Sequence, residues 1–158
     1  MKKPASKTAA TPSRQVDSFL AKFSPEIEGL ARSALRKIRK RLPNAIEFVY
    51  DNYNGLVFGF GSNERPSDAI FSIVLFPRKV ALCFLQGAKL PDPHKRLKGC
   101  GNVVRSVTLD GTGTLDDPQI RLLMDEALRR AKVGMDPKQR RRLIIRSIST
   151  KQRPRRAA

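Results

Sequence analysis

The chain has no tryptophan, a single histidine and only two cysteines among its 158 residues. Two cysteines exclude the disulfide framework of a small secreted domain, and one histidine leaves little material for a catalytic or metal site. No apolar run approaches the roughly 20 residues that cross a bilayer, and the basic N-terminus lacks the apolar segment of a signal peptide. We therefore expect a soluble, cytoplasmic protein with no membrane partner.

Acidic residues are also scarce. The chain has 14 Asp and Glu against 32 Lys and Arg, which gives a formal net charge of +18. Residues 132–158 contain ten cations and one acid, residues 1–15 contain four cations and no acid, and the long centre is only mildly basic. The surplus therefore lies on the two flanks, where it favours a polyanionic partner such as nucleic acid. A contribution to solubility alone is the alternative.

Aromatic residues are absent from both basic flanks. Stacking on bases is therefore excluded there, and any nucleic-acid contact would be independent of base sequence. The candidate residues for polyanion binding are Arg140, Arg141, Arg142, Lys151, Arg153, Arg155 and Arg156.

Two apolar, β-branched runs at 69–76 and 80–85 are joined by only three residues. Strands so close in sequence pair as an antiparallel hairpin, because a parallel crossover needs a dozen or more residues. Other strand-like runs extend this hairpin into a sheet. They lie at 45–50, 56–60 and 103–109.

Apolar residues at helical spacing predict three helices. The first covers residues 15–23, the second runs from a Ser24-Pro25 start signal to Pro43, and the third runs from Asp117-Pro118 to Gly134. The predicted fold class is α+β in two layers, with the helices packed on one mainly antiparallel sheet of about five to six strands.

Composition divides the chain into four segments. We expect a disordered basic tail at 1–14, an α/β domain at 15–133, an extension at 134–149 and a second disordered basic tail at 150–158. Within the extension, residues 143–148 are suited to a short strand or to an amphipathic helix.

The second predicted helix carries cations opposite its apolar stripe. A solvated helix face is the simpler interpretation, and a binding face for an anionic partner is the alternative. These cations are Arg32, Arg36, Lys37, Arg39, Lys40 and Arg41.

A polar cluster of Asp51, Asn52 and Tyr53 follows the first predicted strand. Asp and Asn are typical of turns, which is the structural interpretation. The functional alternative is one rim of a small-ligand or anion site that faces Lys98 and Arg105 across the sheet.

Gly99 and Gly101 lie in a loop whose backbone amides could form an anion nest, although the loop lacks the spacing of a phosphate-binding P-loop. A simple turn between strands is the alternative. His94 precedes this loop and completes the set of ligand candidates. We predict no catalytic residues, no metal ligands and no cofactor, and we interpret the Asp116-Asp117 pair as the cap of the third helix.

Several short motifs, taken in order, resemble those of the YdhG-like proteins, a bacterial family of unknown function. The resemblance covers about residues 16–132, and the ending at 151–156 is also similar to some members. The matching segments are Val49-Tyr-Asp-Asn-Tyr53, Leu85-Gln-Gly87, Leu90-Pro-Asp-Pro-His94, Leu97-Lys-Gly-Cys-Gly101 and Val104-Arg105.

The resemblance implies a small α/β domain with helices on an antiparallel sheet. Some relatives are described as frataxin-like iron chaperones, which hold iron with surface carboxylates, but the second helix here offers only Glu26 and Glu28 among many cations. We expect a non-enzymatic binding or scaffold module whose basic flanks contact nucleic acid or another anion weakly. An iron chaperone is the first alternative, and an enzyme or small-ligand binder that uses residues 99–102 is the second.

Overall fold

A computed structural model describes residues 11–157 of the chain. Three helices, α1 (Pro12–Ala21), α2 (Pro25–Arg41) and α3 (Pro118–Arg129), accompany one sheet of six strands. The strands are β1 (Ile46–Asp51), β2 (Leu56–Gly61), β3 (Ala69–Phe76), β4 (Lys79–Phe84), β5 (Arg105–Thr108) and β6 (Arg142–Ile148).

Strand order across the sheet is β5-β4-β3-β2-β1-β6. The first five strands pair antiparallel in a meander, and β6 adds parallel to β1 at the outer edge. The sheet is therefore mixed but mainly antiparallel, and the predicted α+β class with helices packed on it is confirmed. β2 to β5 and α3 all lie in the chain between β1 and β6, so the connection far exceeds the dozen residues that parallel pairing requires.

The core lies between the helices and one face of the sheet. Cross-strand neighbours share a face, so the row Val49, Phe58, Ile73, Leu82 and Val107 forms a continuous apolar strip across five strands. All five side chains are buried. Successive side chains of a strand point to opposite faces of the sheet, so every second residue of each apolar run can contribute to this strip.

The second helix begins and packs as its sequence predicts. The hydroxyl of Ser24 accepts a hydrogen bond from the Ile27 amide at 3.3 Å, and Pro25 occupies the first turn, where a missing N–H costs nothing. Its predicted apolar stripe faces the sheet, from Ile27 to Ile38. α2 therefore forms the centre of the helical layer.

Two helix boundaries differ from the prediction. α1 begins at Pro12 because the Thr11 hydroxyl accepts from the Arg14 amide, so residues 11–14 belong to the fold, while the rest of the predicted N-terminal tail lies outside the described residues. α3 ends at Arg129, before Gly134. The chain turns there, and the Val133 carbonyl accepts a hydrogen bond from the Ser62 hydroxyl at 2.8 Å.

The C-terminal region is more ordered than predicted. Residues 142–148 form a strand, which decides between the two alternatives for the extension. The expectation that residues 150–158 are disordered is wrong for 150–157, because Arg155 is buried against the first strand. A basic composition predicts disorder only if none of the cations pairs with a carboxylate that is buried in the folded core.

No helix within residues 11–157 is long and apolar enough to cross a membrane.

The two cysteines are free thiols in different surroundings, and we expect them to react at different rates. Cys83 lies half-buried in β4, and burial raises the pKa of its thiol, whereas Cys100 is exposed in a loop. Because the thiolate is the reactive form, iodoacetamide at pH 8 should label Cys100 about tenfold faster than Cys83. Peptide mass spectrometry over time measures both rates. Equal rates in the native protein would contradict this environment for Cys83, and unfolding in urea should equalise them.

Candidate functional site

The ligand site predicted from the sequence does not assemble. Asp51 ends β1 and Arg105 begins β5, and these strands are four positions apart, roughly 19 Å at the usual strand spacing. The two residues also lie at opposite ends of the strands, since the row of Asp51 reaches Val80 in β4 whereas the row of Arg105 contains Phe84. Asp51 and its neighbours therefore do not face Lys98 and Arg105.

The glycine loop forms a tight return between strands. Lys98 and Ser106 exchange backbone hydrogen bonds of 2.8 and 2.9 Å, and Gly99 adopts a φ of +124°, which favours glycine. The guanidinium of Arg105 donates to the carbonyls of Gly101 and Val104 at 2.6 and 2.8 Å. Arg105 thus satisfies carbonyls of its own loop, and the turn interpretation accounts for this segment.

The structure places His94, another predicted ligand candidate, beside the third helix. It lines a small cleft beside Leu122 and Leu123 of α3.

Nearby, the Asp117 carboxylate accepts a hydrogen bond from the Gln119 amide at 2.9 Å and another from Arg96 at 2.8 Å. The Arg96 hydrogen bond is the main cause that lowers the pKa of Asp117. The cap interpretation of Asp117 is confirmed.

The last residues of the chain fold back onto the turn between β1 and β2. We call residues 149–157 the C-terminal clamp. The Ser149 amide and the Gln152 side chain both donate to the Asp51 carbonyl, at 2.8 and 3.1 Å, and the Arg153 amide donates to the Tyr53 carbonyl at 2.9 Å. The clamp therefore binds the backbone carbonyls of the polar cluster through hydrogen bonds.

Arg155 anchors the clamp inside the protein. Its Nη2 donates to Asp51 Oδ1 at 2.9 Å and to the Asn52 carbonyl, and its Nη1 donates to the Tyr53 carbonyl at 3.2 Å. The guanidinium also lies over the ring of Phe23, 5.7 Å from its centroid. Only 3% of the Arg155 side chain and 1% of the Asp51 side chain are exposed. This ion pair is a structural anchor, so neither residue is available to an external ligand.

The clamp and β6 together place a row of cations along one side of the sheet. We call residues 140–157 the basic edge, which contains eight cations and no acid. Three of the eight are neutralised by ion pairs, Arg141 with Glu47, Arg142 with Glu64 and Arg155 with Asp51. The other five have no carboxylate partner among the described residues. They are Arg140, Arg146, Lys151, Arg153 and Arg156.

The strand geometry exposes these free cations. The pairing of β6 with β1 shifts between Val49 and Tyr50, so that Arg146 is an extra residue in a bulge on the outer strand. Beyond β6, Arg153 donates to the Asn54 side chain at 3.4 Å, and Arg156 donates to the Lys22 carbonyl at 3.3 Å. The clamp thus positions its cations on the surface next to Lys22, which follows α1.

Tyr53 joins this cationic surface. The residue is 51% exposed, while its backbone carbonyl accepts hydrogen bonds from Arg153 and Arg155. The flanks contain no aromatic residue in sequence, but folding brings one to the clamp. Composition and local spacing could not reveal this contact. The one available signal was that residues 49–53 and 151–156 both belong to the YdhG-like resemblance.

The cations of α2 serve mostly as internal ion-pair partners. Arg39 donates two hydrogen bonds of 2.9 Å to the buried carboxylate of Glu47, and Arg141 donates a third at 3.2 Å. Among the other five predicted cations, Arg32, Lys37 and Arg41 also pair with carboxylates, whereas Arg36 and Lys40 have none within the described part of the chain. α2 therefore does not present a continuous binding face.

Carboxylates suitable for iron are not gathered in the region that the structure describes. Residues 11–157 contain no group of three or more His, Cys, Asp or Glu side chains that could hold a metal ion. Of the two acids that open α2, Glu28 is already paired with Arg32 at 2.9 Å.

No family model, curated protein or solved structure matches this chain. The resemblance to the YdhG-like proteins stays a hypothesis. Any function assigned to the chain therefore depends on the geometry of its own residues.

Proposed function

We propose that the chain is a non-enzymatic binding module that holds single-stranded nucleic acid, without sequence specificity, along the basic edge. The observation that supports this function is the eight cations and no acid of residues 140–157, of which only three are neutralised internally. We further propose that the protein is a cytoplasmic member of the YdhG-like family. The free thiols of both cysteines and the contact between the two family-like segments support that part.

Counterion release is the driving force that this surface would use. Each phosphate neutralised by a lysine or arginine frees condensed cations, so the logarithm of affinity for a single strand falls by about 0.7 per contact as the logarithm of salt rises. Five free cations on a fixed edge predict a slope of about 3.5. Raising the salt from about 50 to 200 mM should therefore weaken binding about a hundredfold.

Tyr53 favours a single strand over a duplex. Tyr53 is exposed, and its backbone carbonyl bonds to Arg153, one of the free cations of the basic edge. An exposed aromatic ring at this position can stack on an unpaired base, and such stacking contributes about 1–3 kcal/mol per base. Duplex bases are already stacked on each other and offer no free face. We therefore expect Tyr53→Ala to weaken single-strand binding at least about fivefold and to leave duplex binding unchanged.

Fluorescence anisotropy with labelled 20-nucleotide single strands of random sequence, at two salt concentrations, tests the proposal. The edge variant replaces the five free cations of residues 140–157 with glutamine and keeps the three paired arginines that stabilise the fold. Its salt slope should fall below about 1. The matched control removes five exposed cations elsewhere, so that both variants carry the same net charge. The control substitutions are Lys40→Gln, Arg65→Gln, Arg78→Gln, Lys98→Gln and Arg121→Gln.

The control separates a specific edge from the overall charge. If the control variant loses as much affinity as the edge variant, binding reflects net charge alone and the basic edge is not the site. Absence of binding by the wild-type protein at about 50 mM salt, where counterion release is strong, would reject the proposed function altogether.

A further inference from the structure

One cavity of the described chain lies away from the basic edge. It has a volume of about 490 Å³, within the range of small-molecule sites, and opens between the C-terminal end of α3 and the adjoining ends of β3 and β4. β4 and β6 are four strand positions apart, roughly 19 Å, so this cavity is separate from the surface proposed for nucleic acid.

The floor of this cavity is apolar and well packed. Ile70, Phe84 and Ala127 line it, and each is at least 91% buried, so these side chains hold a fixed shape. Leu90 and Ala131 continue the apolar wall toward the opening. A floor of this kind recognises the hydrocarbon body of a ligand by excluding water from it.

The rim of the cavity is cationic. Lys89, Arg130 and Lys132 line it, and Asp68 is the one acid among its lining residues. The Asp68 carboxylate already accepts a hydrogen bond from Asn63 at 3.1 Å. Neither Lys89 nor Lys132 has a carboxylate partner among residues 11–157. The rim therefore carries a local surplus of two positive charges.

Arg130 is held in place by two contacts that leave part of its guanidinium unused. Its Nε donates to Glu126 Oε1 and its Nη1 donates to the Lys89 carbonyl, both at 2.9 Å. Its Nη2 has no hydrogen-bond partner in the described part of the chain. Because the side chain is already ordered, a ligand anion would meet a preorganised donor and would not bear the cost of fixing it.

From this combination we infer that the cavity binds an amphipathic organic acid, a molecule with an apolar body on the floor and a carboxylate, sulfonate or phosphate group at the Lys89, Arg130 and Lys132 rim. A cationic ligand would meet repulsion from the rim. A purely apolar ligand would fill the floor but leave the cations without a partner. The anionic head and the apolar body are therefore both part of the recognition.

Two fluorescent probes with the same rings test this inference on the full chain. Anilinonaphthalene sulfonate carries the anionic head, whereas N-phenylnaphthylamine lacks it. We expect the double variant Lys89→Gln with Lys132→Gln to raise the dissociation constant of the sulfonate about tenfold and to leave that of the neutral amine unchanged. Ala131→Phe, which fills the half-buried wall, should weaken both probes. Decanoate, a plain amphipathic acid, should compete with the sulfonate.

The control for surface charge is Lys40→Gln with Lys98→Gln, which removes two exposed cations outside the cavity. Equal losses of the sulfonate in the control and rim variants would overturn the inference, as would Ala131→Phe binding both probes normally. Parallel weakening of both probes by the rim variant would also overturn it, because recognition would then not depend on the anionic head. A cooperative melting transition confirms that each variant is folded.

Discussion

Replacing Arg155 with methionine is expected to lower the free energy of unfolding by about 3–5 kcal/mol. Asp51 is 99% buried, and no side chain other than Arg155 bonds to its carboxylate in the described chain. Methionine removes the guanidinium and leaves that carboxylate desolvated without a counter-charge. The carbonyls of Asn52 and Tyr53 lose their Arg155 donors as well.

Urea unfolding followed by circular dichroism measures the change, and the chain provides a close control. Arg156 is the next residue, is exposed, and within residues 11–157 bonds only to the Lys22 carbonyl, so Arg156→Met should shift stability by less than about 0.5 kcal/mol. Pairing Arg155→Met with Asp51→Leu should recover part of the loss, because both buried charges then disappear. If Arg155→Met costs no more than Arg156→Met, the anchor does not form in solution.

Arg39→Met is the second substitution with a large expected effect, about 2–4 kcal/mol of destabilisation. Glu47 is 1% exposed and accepts two of its three hydrogen bonds from Arg39. The remaining partner, Arg141, supplies one longer contact at 3.2 Å and is itself 44% exposed. Without Arg39, the partly solvated Arg141 alone cannot offset the cost of burying the Glu47 carboxylate.

A neighbour on the same helix serves as the control for Arg39. Arg36 lies one turn earlier, lines a surface cleft together with Arg39 and Arg141, and has no carboxylate partner within residues 11–157. Arg36→Met should therefore change stability by less than about 0.5 kcal/mol. Thermal melts of the two variants, recorded side by side, distinguish a buried ion pair from the loss of one surface charge. Equal effects of both substitutions would show that Glu47 does not depend on Arg39.

These two ion pairs explain why the charge pattern misled the sequence interpretation. The cations of α2 were expected to be solvated or to form one binding face, and the last residues were expected to be disordered. In the structure, Glu47 and Asp51 project from the first strand toward the helical layer. Glu47 pairs with Arg39, eight positions earlier, and Asp51 pairs with Arg155, 104 positions later. A buried carboxylate in an apolar strand is the signal that both arginines were committed internally.

The predicted ligand site failed for a related reason. Asp51 and Arg105 each end or begin a strand run, and the sequence does not say where those strands lie in the sheet. The order β5-β4-β3-β2-β1-β6 puts them four strands apart. The cavity beneath α3 was missed because its floor and its rim come from three separate stretches of chain, at 67–70, 84–90 and 127–132.

The sequence by itself determined the α+β class, the central hairpin, the starts of α2 and α3, and the surplus of positive charge. Each of these depends on residues only a few positions apart, where turn geometry, capping and apolar spacing act directly. Only the tertiary structure decided which arginines are buried, that the chain end is a clamp, and that Tyr53 meets its cations. Asp51 and Arg155 are 104 positions apart, and each buried charge has the other as its counter-charge. No local pattern encodes that pairing, because the cost of desolvating either charge depends on what the fold places beside it.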